Sequence, residues 1–214
     1  FLVFLALKKQ VRLMDSYPNP ILLLGLLTLL GMAPYIAILT SSFIKLVVVM
    51  HIIRSAIGLQ QEPPNLAISG MAIILSIFIM APVGMETYEI FSGYNIQMTD
   101  IKNPNFTQAM SESTRPLQDF MTKYSVPTER QFFIDTAHRL WPERYAKEID
   151  ERNLLVLIPA FMISELTAAF QMGFLIFLPF IVIDLIISNI LLSMGMMMVS
   201  PTVVSLPFKI LLFV

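Results

Sequence analysis

Five charged side chains lie within or beside long apolar stretches of this sequence, where charged groups are rarely found. They are Lys45, Arg54, Glu165, Asp184 and Lys209. A charge in hydrocarbon costs at least ~2.5 kcal/mol, so such residues generally pair with one another or face water. Because three bases and two acids nearly balance, the sequence predicts ion pairs between helices, or between subunits, that would fix the register of an assembly.

Two other kinds of chemistry are open to some of these residues. Arg54 and Lys209 stand near the ends of their apolar stretches, so their long side chains could instead extend to water. Glu165 and Asp184 could pass protons along a relay, which would make the chain a proton-coupled membrane carrier. Pairing is the interpretation favoured for Lys45, Glu165 and Asp184.

Consecutive methionines form the second unusual feature. Met196, Met197 and Met198 follow Gly195 and precede Pro201, and a glycine and a proline at these positions favour a turn or a broken helix. Three consecutive side chains cannot all point to one face of a helix. Since methionine is flexible and polarizable, the segment fits two interpretations: a soft apolar ring if several copies surround an axis, or loose packing in a core.

A tight helical hairpin is predicted between the first two apolar stretches. Gly58 ends the first stretch, and Pro63 and Pro64 prevent its continuation. Asn65 is expected to cap the helix that follows. A structural turn, with no binding role, is the default interpretation of this segment.

Residues suited to catalysis or metal binding are sparse and scattered. The sequence contains no cysteine, which excludes disulfides and thiolate chemistry, and its only histidines are His51 and His138. No phosphate-binding loop, dinucleotide-binding glycine motif or nucleophile elbow is present. The prediction is therefore a protein that is not an enzyme and that needs neither a metal ion nor a cofactor.

The composition is that of a membrane protein. Of the 214 residues, 56% are hydrophobic and 14% are charged, against roughly 25% charged in an ordinary soluble protein, and the mean hydropathy is +0.74. The net charge of −1 provides no basic surface, so no nucleic-acid partner is expected. Residues 92–152 hold 17 of the 29 charged side chains, which makes this segment a polar insert in an apolar body.

The apolar runs predict an all-α chain of long, broken hydrophobic helical hairpins with a small polar helical insert. Strands are not expected, because the runs are long and lack period-two alternation. The predicted boundaries are an N-terminal segment 1–19, a first hairpin 20–91, the insert 92–152 and a second hairpin 153–214 that contains the methionine-rich turn.

Two of the apolar runs are too long for a single span of ~20 residues. Gly31 and Pro34 could break or kink the first run. The last run, residues 154–195, would form a helix of about 63 Å, twice a hydrocarbon core of ~30 Å. It should therefore bend, break near Pro179 or stand partly outside the bilayer.

A series of short motifs resembles those of the FliP/SctR family, in the same order and over residues 20–214. The motifs are 40–45 (TSSFIK), 54–61 (RSAIGLQQ), 63–65 (PPN), 157–161 (LIPAF), 164–166 (SEL), 169–174 (AFQMGF), 178–180 (LPF), 183–185 (IDL), 195–198 (GMMM) and 206–209 (LPFK). The dipeptides Gln60-Gln61 and Ser200-Pro201 favour the injectisome (YscR) branch. The flagellar branch usually has Pro-Pro at these positions. The sequence departs from the family at Ser55, where asparagine is usual. The resemblance also implies a further C-terminal helix after Val214.

This resemblance implies a core, pore-forming export-gate subunit of type III secretion systems in the bacterial inner membrane, with a role in virulence. Such subunits are expected to form a homopentamer that joins two other small hydrophobic subunits, FliQ/SctS-like and FliR/SctT-like. The resulting helical gate would conduct unfolded secreted polypeptides, with membrane lipid as its other neighbour. Met196, Met197 and Met198 would form the gasket that closes the pore. Lys45, Glu165 and Asp184 would lie at helix or subunit contacts.

The side of the membrane on which the insert lies is a point of conflict. Four apolar limbs place Lys8, Lys9 and Arg12 on the same side as the insert, and the positive-inside rule would make that side cytoplasmic. The family implies the periplasmic side, with the assembly raised out of the lipid plane, and this placement is the one expected. A non-conducting membrane scaffold, whose insert recruits a partner, is the remaining alternative to a conduit.

Overall fold

The computed structural model describes residues 20–59, 62–94 and 104–214, and these ranges are helical apart from short connections. The helices are α1 Pro20–Thr40, α2 Phe43–Ile57, α3 Asn65–Gly93, α4 Pro104–Ser113, α5 Arg115–Tyr124, α6 Pro127–Leu140, α7 Glu143–Ala146, α8 Leu154–Ser193 and α9 Pro201–Phe213. No strand occurs in the described ranges, so the predicted all-α class is confirmed. The N-terminal segment 1–19, which contains Lys8, Lys9 and Arg12, lies outside the described residues, as do residues 60–61.

The chain divides into two compact units, Phe1–Ile38 and Leu39–Val214. In the first unit the described backbone belongs to α1, and its side chains are solvent-exposed in the single chain wherever they are described. Gly31 and Pro34 lie inside this helix without ending it. The break that the sequence allows at these two residues is therefore not observed.

The interruption between α1 and α2 comes instead at two serines. Ser41 and Ser42 are not helical, and the Phe43 N–H donates a hydrogen bond to Ser41 Oγ at 3.4 Å. Serine hydroxyls compete in this way with the helical hydrogen bonds of the backbone. A single apolar run in the sequence thus becomes two helices.

Helices α3 and α8 are each long and apolar enough to cross a membrane, and Leu30–Thr40 together with Phe43–Ile57 forms a third candidate span. These helices and the composition identify a membrane protein. Helix α8 has 40 residues, or about 60 Å, so it extends beyond a hydrocarbon core of ~30 Å.

Of the three possibilities that the sequence leaves open for this run, a break near Pro179 is not observed. The helix continues through both Pro159 and Pro179, although an interior proline removes a backbone hydrogen bond and costs ~3 kcal/mol. Phe180, the next residue, is buried against Ala56 and Ile57 of α2. Ile176 and Phe177, which precede the proline, pack against the same cluster. Tertiary packing on both sides of the proline therefore compensates for the lost hydrogen bond.

Helix α2 ends in a tight turn that starts the hairpin to α3. Gly58 has φ 92°, a left-handed conformation that side chains disfavour. The Gly58 N–H donates to Ser55 O at 3.1 Å and the Leu59 N–H to Arg54 O at 3.3 Å, the pair of bonds of a Schellman motif. Asn65 does not cap α3 as expected: α3 begins at Asn65 itself, and no side chain caps it.

Helix α8 is the element against which α2, α5, α6 and α9 all pack. Near its start, Leu157 and Phe161 form a buried cluster with Met121 of α5. Farther along, Phe180 forms a second cluster with residues of α2. The polar insert therefore shares its hydrophobic core with α8 and is not a separately packed module.

Hydrogen bonds fix the junction of α5 and α6 to α8. The Val126 N–H donates to Ser164 Oγ of α8 at 2.8 Å. Arg130 is buried, donates to both the carbonyl and the hydroxyl of Ser125 at 2.8 Å and pairs with Glu151 at 3.3 Å. These bonds satisfy the free carbonyls at the end of α5, so the insert has one defined orientation on α8.

Helices α2 and α8 approach each other closely at Gly173. A Cβ atom on Gly173 would overlap Ile52 Cδ1 of α2 and lie 3.0 Å from its Cγ2. A larger residue would force the Ile52 side chain to shift, because its Cβ, at 3.2 Å, would be crowded as well.

Gly173→Ala should therefore destabilise the protein by ~1–3 kcal/mol, the usual cost of an extra methyl group in a filled core. Thermal unfolding of the purified protein in detergent measures the effect. Gly84→Ala is the matched control in α3, since a Cβ there meets nothing within 4 Å and alanine favours helix by up to ~1 kcal/mol. Equal unfolding temperatures for the two variants would contradict the packing role of Gly173.

Candidate functional site

A buried amine joins three helices at one point. Lys209 of α9 is 3% exposed, and its Nζ lies 2.7 Å from Asp184 Oδ2 of α8. The same Nζ donates to the Ala56 carbonyl of α2 at 3.1 Å. Ser205 Oγ donates to the other carboxylate oxygen of Asp184 at 2.6 Å. Lys209 is thus paired inside the protein and does not extend to water, the alternative that the sequence left open.

The Ala56 carbonyl is available to Lys209 because α2 ends at that point. The last carbonyls of a helix have no partner within the helix, and they carry the negative end of the helix dipole. Gly58 leaves the approach open, since even a Cβ on it would stand 3.8 Å from Lys209 Nζ. The lysine therefore acts as a cap of α2 as well as the partner of Asp184.

Lys45 and Glu165 form a second ion pair, between α2 and α8. Lys45 Nζ lies 2.5 Å from Glu165 Oε1, and the glutamate side chain is 3% exposed against 24% for the lysine. Lys45 Nζ also lies 5.6 Å from the ring centroid of Tyr124, the last residue of α5, a distance at which an aromatic face attracts a cation. The pair therefore connects α2 and α8 next to the polar insert.

Arg54 forms no ion pair within the described ranges. Its Nη1 donates to Pro63 O at 3.1 Å and to Asn65 Oδ1 at 2.6 Å, and its Nη2 lies 3.1 Å from His51 Nδ1. These bonds hold the start of α3 against α2, so Arg54 links the two limbs of the predicted hairpin turn. They also explain why Asn65 does not cap α3: its side-chain oxygen is bound to Arg54.

The methionine turn follows a sharp end of α8. Gly195 has φ 75°, its N–H donates to Leu192 O at 3.1 Å, and the Met196 N–H donates to Leu191 O at 3.0 Å. These are again the two bonds of a Schellman motif. The turn then continues to Pro201, where α9 begins, so Gly195 and Pro201 delimit the turn.

The three methionines of the turn do not contribute to the core of this chain. Met196 is 40% exposed, Met197 81% and Met198 fully exposed. Loose packing within a core, one of the two sequence interpretations, therefore does not describe them in the single chain. The side chains are free to contact a neighbouring molecule.

Neither carboxylate on α8 is available for simple acid–base chemistry. Glu165 and Asp184 each bind a lysine amine, and they stand about 28 Å apart along one helix at ~1.5 Å per residue. A direct proton transfer between them is excluded by that separation. Among the described residues, no group of three His, Asp or Glu side chains has the geometry to hold a metal ion.

Several residues of this site carry no recognisable signal in the sequence. His51, Tyr124 and Ser205 complete the three clusters, but each was indistinguishable from an ordinary helical residue. The spacing of Ser205 from Lys209, one helical turn, places both on one face of α9. That spacing, together with the acidic Asp184 in the preceding apolar run, is the one sequence pattern from which the Lys209 cluster could have been predicted.

Large apolar side chains cover much of the surface of α3, α8 and α9. Monomeric soluble proteins rarely expose contiguous apolar patches of more than a few hundred Å², so this surface contacts lipid or other protein chains. The members that are at least 60% exposed are Leu66, Ile74, Ile77, Phe78, Met85, Tyr88, Leu155, Phe170, Phe174, Leu175, Val203 and Leu211.

Removing the charge of Asp184 should be costly. Asp184→Asn leaves Lys209 as a buried cation without a counter-charge, for which ~3–5 kcal/mol is typical. Thermal unfolding in detergent provides the measurement. The double variant Asp184→Asn/Lys209→Met removes both charges and should recover much of the loss.

Asp119→Asn is the matched control for this experiment. It breaks the ion pair between Asp119 and Arg152, in which the side chains are 60% and 58% exposed. Surface pairs of this kind contribute only ~0–1 kcal/mol. If Asp184→Asn is no more destabilising than Asp119→Asn, the Lys209 cluster does not hold the three helices together.

Known proteins match this chain over nearly its whole length. The sequence model of the FliP family matches residues 26–214. Yop proteins translocation protein R of Yersinia pestis is 47% identical over 201 residues, which cover 94% of this chain and 92% of that protein. Virulence protein YscR of Salmonella typhimurium is 46% identical over 91% of this chain and 89% of its own length. Hypersensitivity response secretion protein HrcR of Ralstonia nicotianae is 42% identical over 86% of this chain and 85% of its own length.

These matches confirm the resemblance that the motifs indicate, including the preference for the injectisome branch, since the relatives carry the names YscR and HrcR. The matched region contains α2, α3, α8 and α9, and with them both buried ion pairs and the methionine turn. The chain belongs to the FliP family.

Proposed function

We propose that this protein is a pore-forming subunit of the type III secretion export gate of an injectisome. In that role it conducts unfolded polypeptides across the bacterial inner membrane, without catalysis and without a cofactor. Membership in the FliP family and relatives named for translocation and secretion support this role. The energy for transport comes from other components, because no nucleotide-binding motif is present in the sequence.

The exposed methionine turn is the observation that carries the proposal. Its three side chains are apolar, flexible and exposed, Met197 and Met198 most of all, and a glycine fixes the turn at the end of a long helix. Copies of the turn around an axis form a soft apolar constriction that closes when empty and deforms around a passing chain. Met196, Met197 and Met198 are the gasket in this proposal.

A closed ring needs several copies, and the apolar surface supplies the contacts. We assign the exposed faces of α3, α8 and α9 to neighbouring subunits in a homopentamer and to FliQ/SctS-like and FliR/SctT-like partners, with lipid at the periphery. In this assembly the ion pair of Lys209 and Asp184 holds α8 and α9 at a fixed angle on either side of the methionine turn. The polar insert lies on the periplasmic side, with the assembly raised toward the periplasm.

The two alternative functions receive less support from the geometry. A scaffold that uses the insert to recruit a partner would carry the insert as a separate module, but Met121 of α5 is buried with Leu157 and Phe161 of α8. A proton carrier would need linked carboxylates, but Glu165 and Asp184 are far apart and each is bound to a lysine. Transport lost in Asp184→Asn while the assembly stays intact would favour the carrier over the conduit.

Changing Met196, Met197 and Met198 together to alanine should make the closed gate leak small ions, because the shortened side chains no longer fill the constriction. Ion conductance of the purified complex in a planar bilayer, without a secretion substrate, measures the leak. The control replaces Met85 and Met110, which are also exposed but belong to α3 and α4, outside the turn. Unchanged conductance in the turn variant, with the assembly intact, would exclude the gasket role.

The mass of the intact complex tests the ring on which the pore depends. Native mass spectrometry of the complex extracted gently in detergent should give five copies of this chain together with the smaller hydrophobic subunits. Extraction in a harsher detergent distinguishes the stable ring from loosely attached subunits. A complex with only one or two copies of the chain could not surround an axis and would contradict the proposed pore.

A further inference from the structure

An apolar groove lies where α2, α3 and the end of α9 meet. Its volume is about 550 Å³, within the range of sites that bind small molecules in proteins. Every lining residue except Arg54 is apolar. The lining consists of Met50, Ile53, Arg54, Ile57, Leu59, Pro63, Ile68, Met71, Ile210 and Phe213.

Arg54 brings a positive charge to this groove, and no residue that the structure describes forms an ion pair with it. Its described partners are a carbonyl, a side-chain amide and a histidine ring nitrogen, and no described carboxylate lies within ion-pair distance of it. Of the five N–H donors of a guanidinium, these bonds use three. Among the described residues, no acceptor is bound to the Nε donor or to the second Nη2 donor.

The neighbouring Lys209 does not compete with Arg54 for an anion in the groove. Lys209 follows Ser205 on α9, and its Nζ is already bound to Asp184 and to the Ala56 carbonyl. The charges of that cluster are balanced internally. Arg54 is therefore the side chain that gives the groove its electrostatic preference.

We propose that the groove binds one anionic phospholipid, with an acyl chain along the apolar lining and the phosphate on Arg54. A cation beside apolar surface is strongly stabilised by an anion there, and guanidinium binds phosphate oxygens through two parallel hydrogen bonds. Basic pockets between membrane helices recognise acidic lipid head groups on this basis. An apolar peptide segment or a neutral lipid would fill the groove but leave the charge of Arg54 unbalanced.

The lipid would act at the hairpin that Arg54 already links. Its phosphate would sit beside the bonds to Pro63 and Asn65, and its acyl chain would contact α2, α3 and α9 together. An acidic lipid should therefore stabilise the hairpin as well as bind to it. This site does not depend on the proposed conduit, since a carrier or a scaffold of the same fold would contain it too.

The test uses the full-length chain with the subunits that accompany it, extracted from bacterial membranes and depleted of lipid. Dioleoylphosphatidylglycerol and dioleoylphosphatidylcholine are added back separately, and native mass spectrometry counts the lipid molecules retained by each complex. We expect the wild type to prefer the anionic lipid about fivefold, the equivalent of about 1 kcal/mol for one cation near an anionic head group. The preference should fall at high salt.

Two kinds of variant separate the head-group contact from the groove. Arg54→Gln should abolish the preference while leaving retention of the neutral lipid unchanged, and Arg54→Lys should keep part of the preference. Met71→Trp narrows the groove and should reduce retention of both lipids. Ile77→Trp is its matched control, since Ile77 is an exposed residue of α3 outside the groove, and it should behave as the wild type.

Three results would overturn the proposal. They are equal retention of the two lipids by the wild type, a preference that persists in Arg54→Gln, and equal retention by Met71→Trp and Ile77→Trp. A photo-crosslinking residue at position 71 that captures a protein chain and no lipid would show that a subunit fills the groove, which also excludes the lipid. The Met71→Trp comparison stays decisive even if Arg54→Gln loosens the hairpin, because it leaves the bonds of Arg54 intact.

Discussion

The burial of the Lys209 amine is the constraint on which the arrangement of α2, α8 and α9 depends. A buried cation is tolerated only with an opposite charge and further acceptors around it. Asp184 provides the charge, and the Ala56 carbonyl provides an acceptor that is free because α2 stops at Gly58. The Lys209 amine therefore fixes three things together: where α2 ends, where Asp184 lies on α8 and which face of α9 packs against them.

Helix α8 connects this cluster to the other packed regions of the protein. Near its start it shares a buried cluster with the insert, and Glu165 binds Lys45 from α2. Farther along, Phe180 and Asp184 hold α2 and α9. At its end a left-handed glycine stops the helix and leaves three methionines uncovered. A single continuous helix thus sets the position of the methionine turn relative to both ion pairs, and no flexible connection intervenes.

The sequence was informative where the chemistry is local and misleading where packing overrides it. Gly58 and Gly195 ended helices as expected, since only glycine readily adopts the left-handed conformation that both turns require. Pro179 did not break α8, because the neighbouring Phe180 is buried against α2. Asn65 did not cap α3, because Arg54 takes its side-chain oxygen. Gly173 gave no signal at all, since its importance lies in the distance to Ile52 on another helix.

By itself the sequence determined the helical class, the membrane character, the polar insert, the turns and the family, because composition, apolar run length and ordered motifs are properties of the chain alone. It also identified the five charged residues as unusual, since a charge in an apolar run is costly wherever it lies. Only the tertiary structure decided that Lys45 pairs with Glu165, that Lys209 pairs with Asp184 and that Arg54 has no acidic partner among the described residues. The reason is physical: an ion pair depends on a separation of a few ångströms between side chains far apart in sequence, and that separation exists only once the helices have packed.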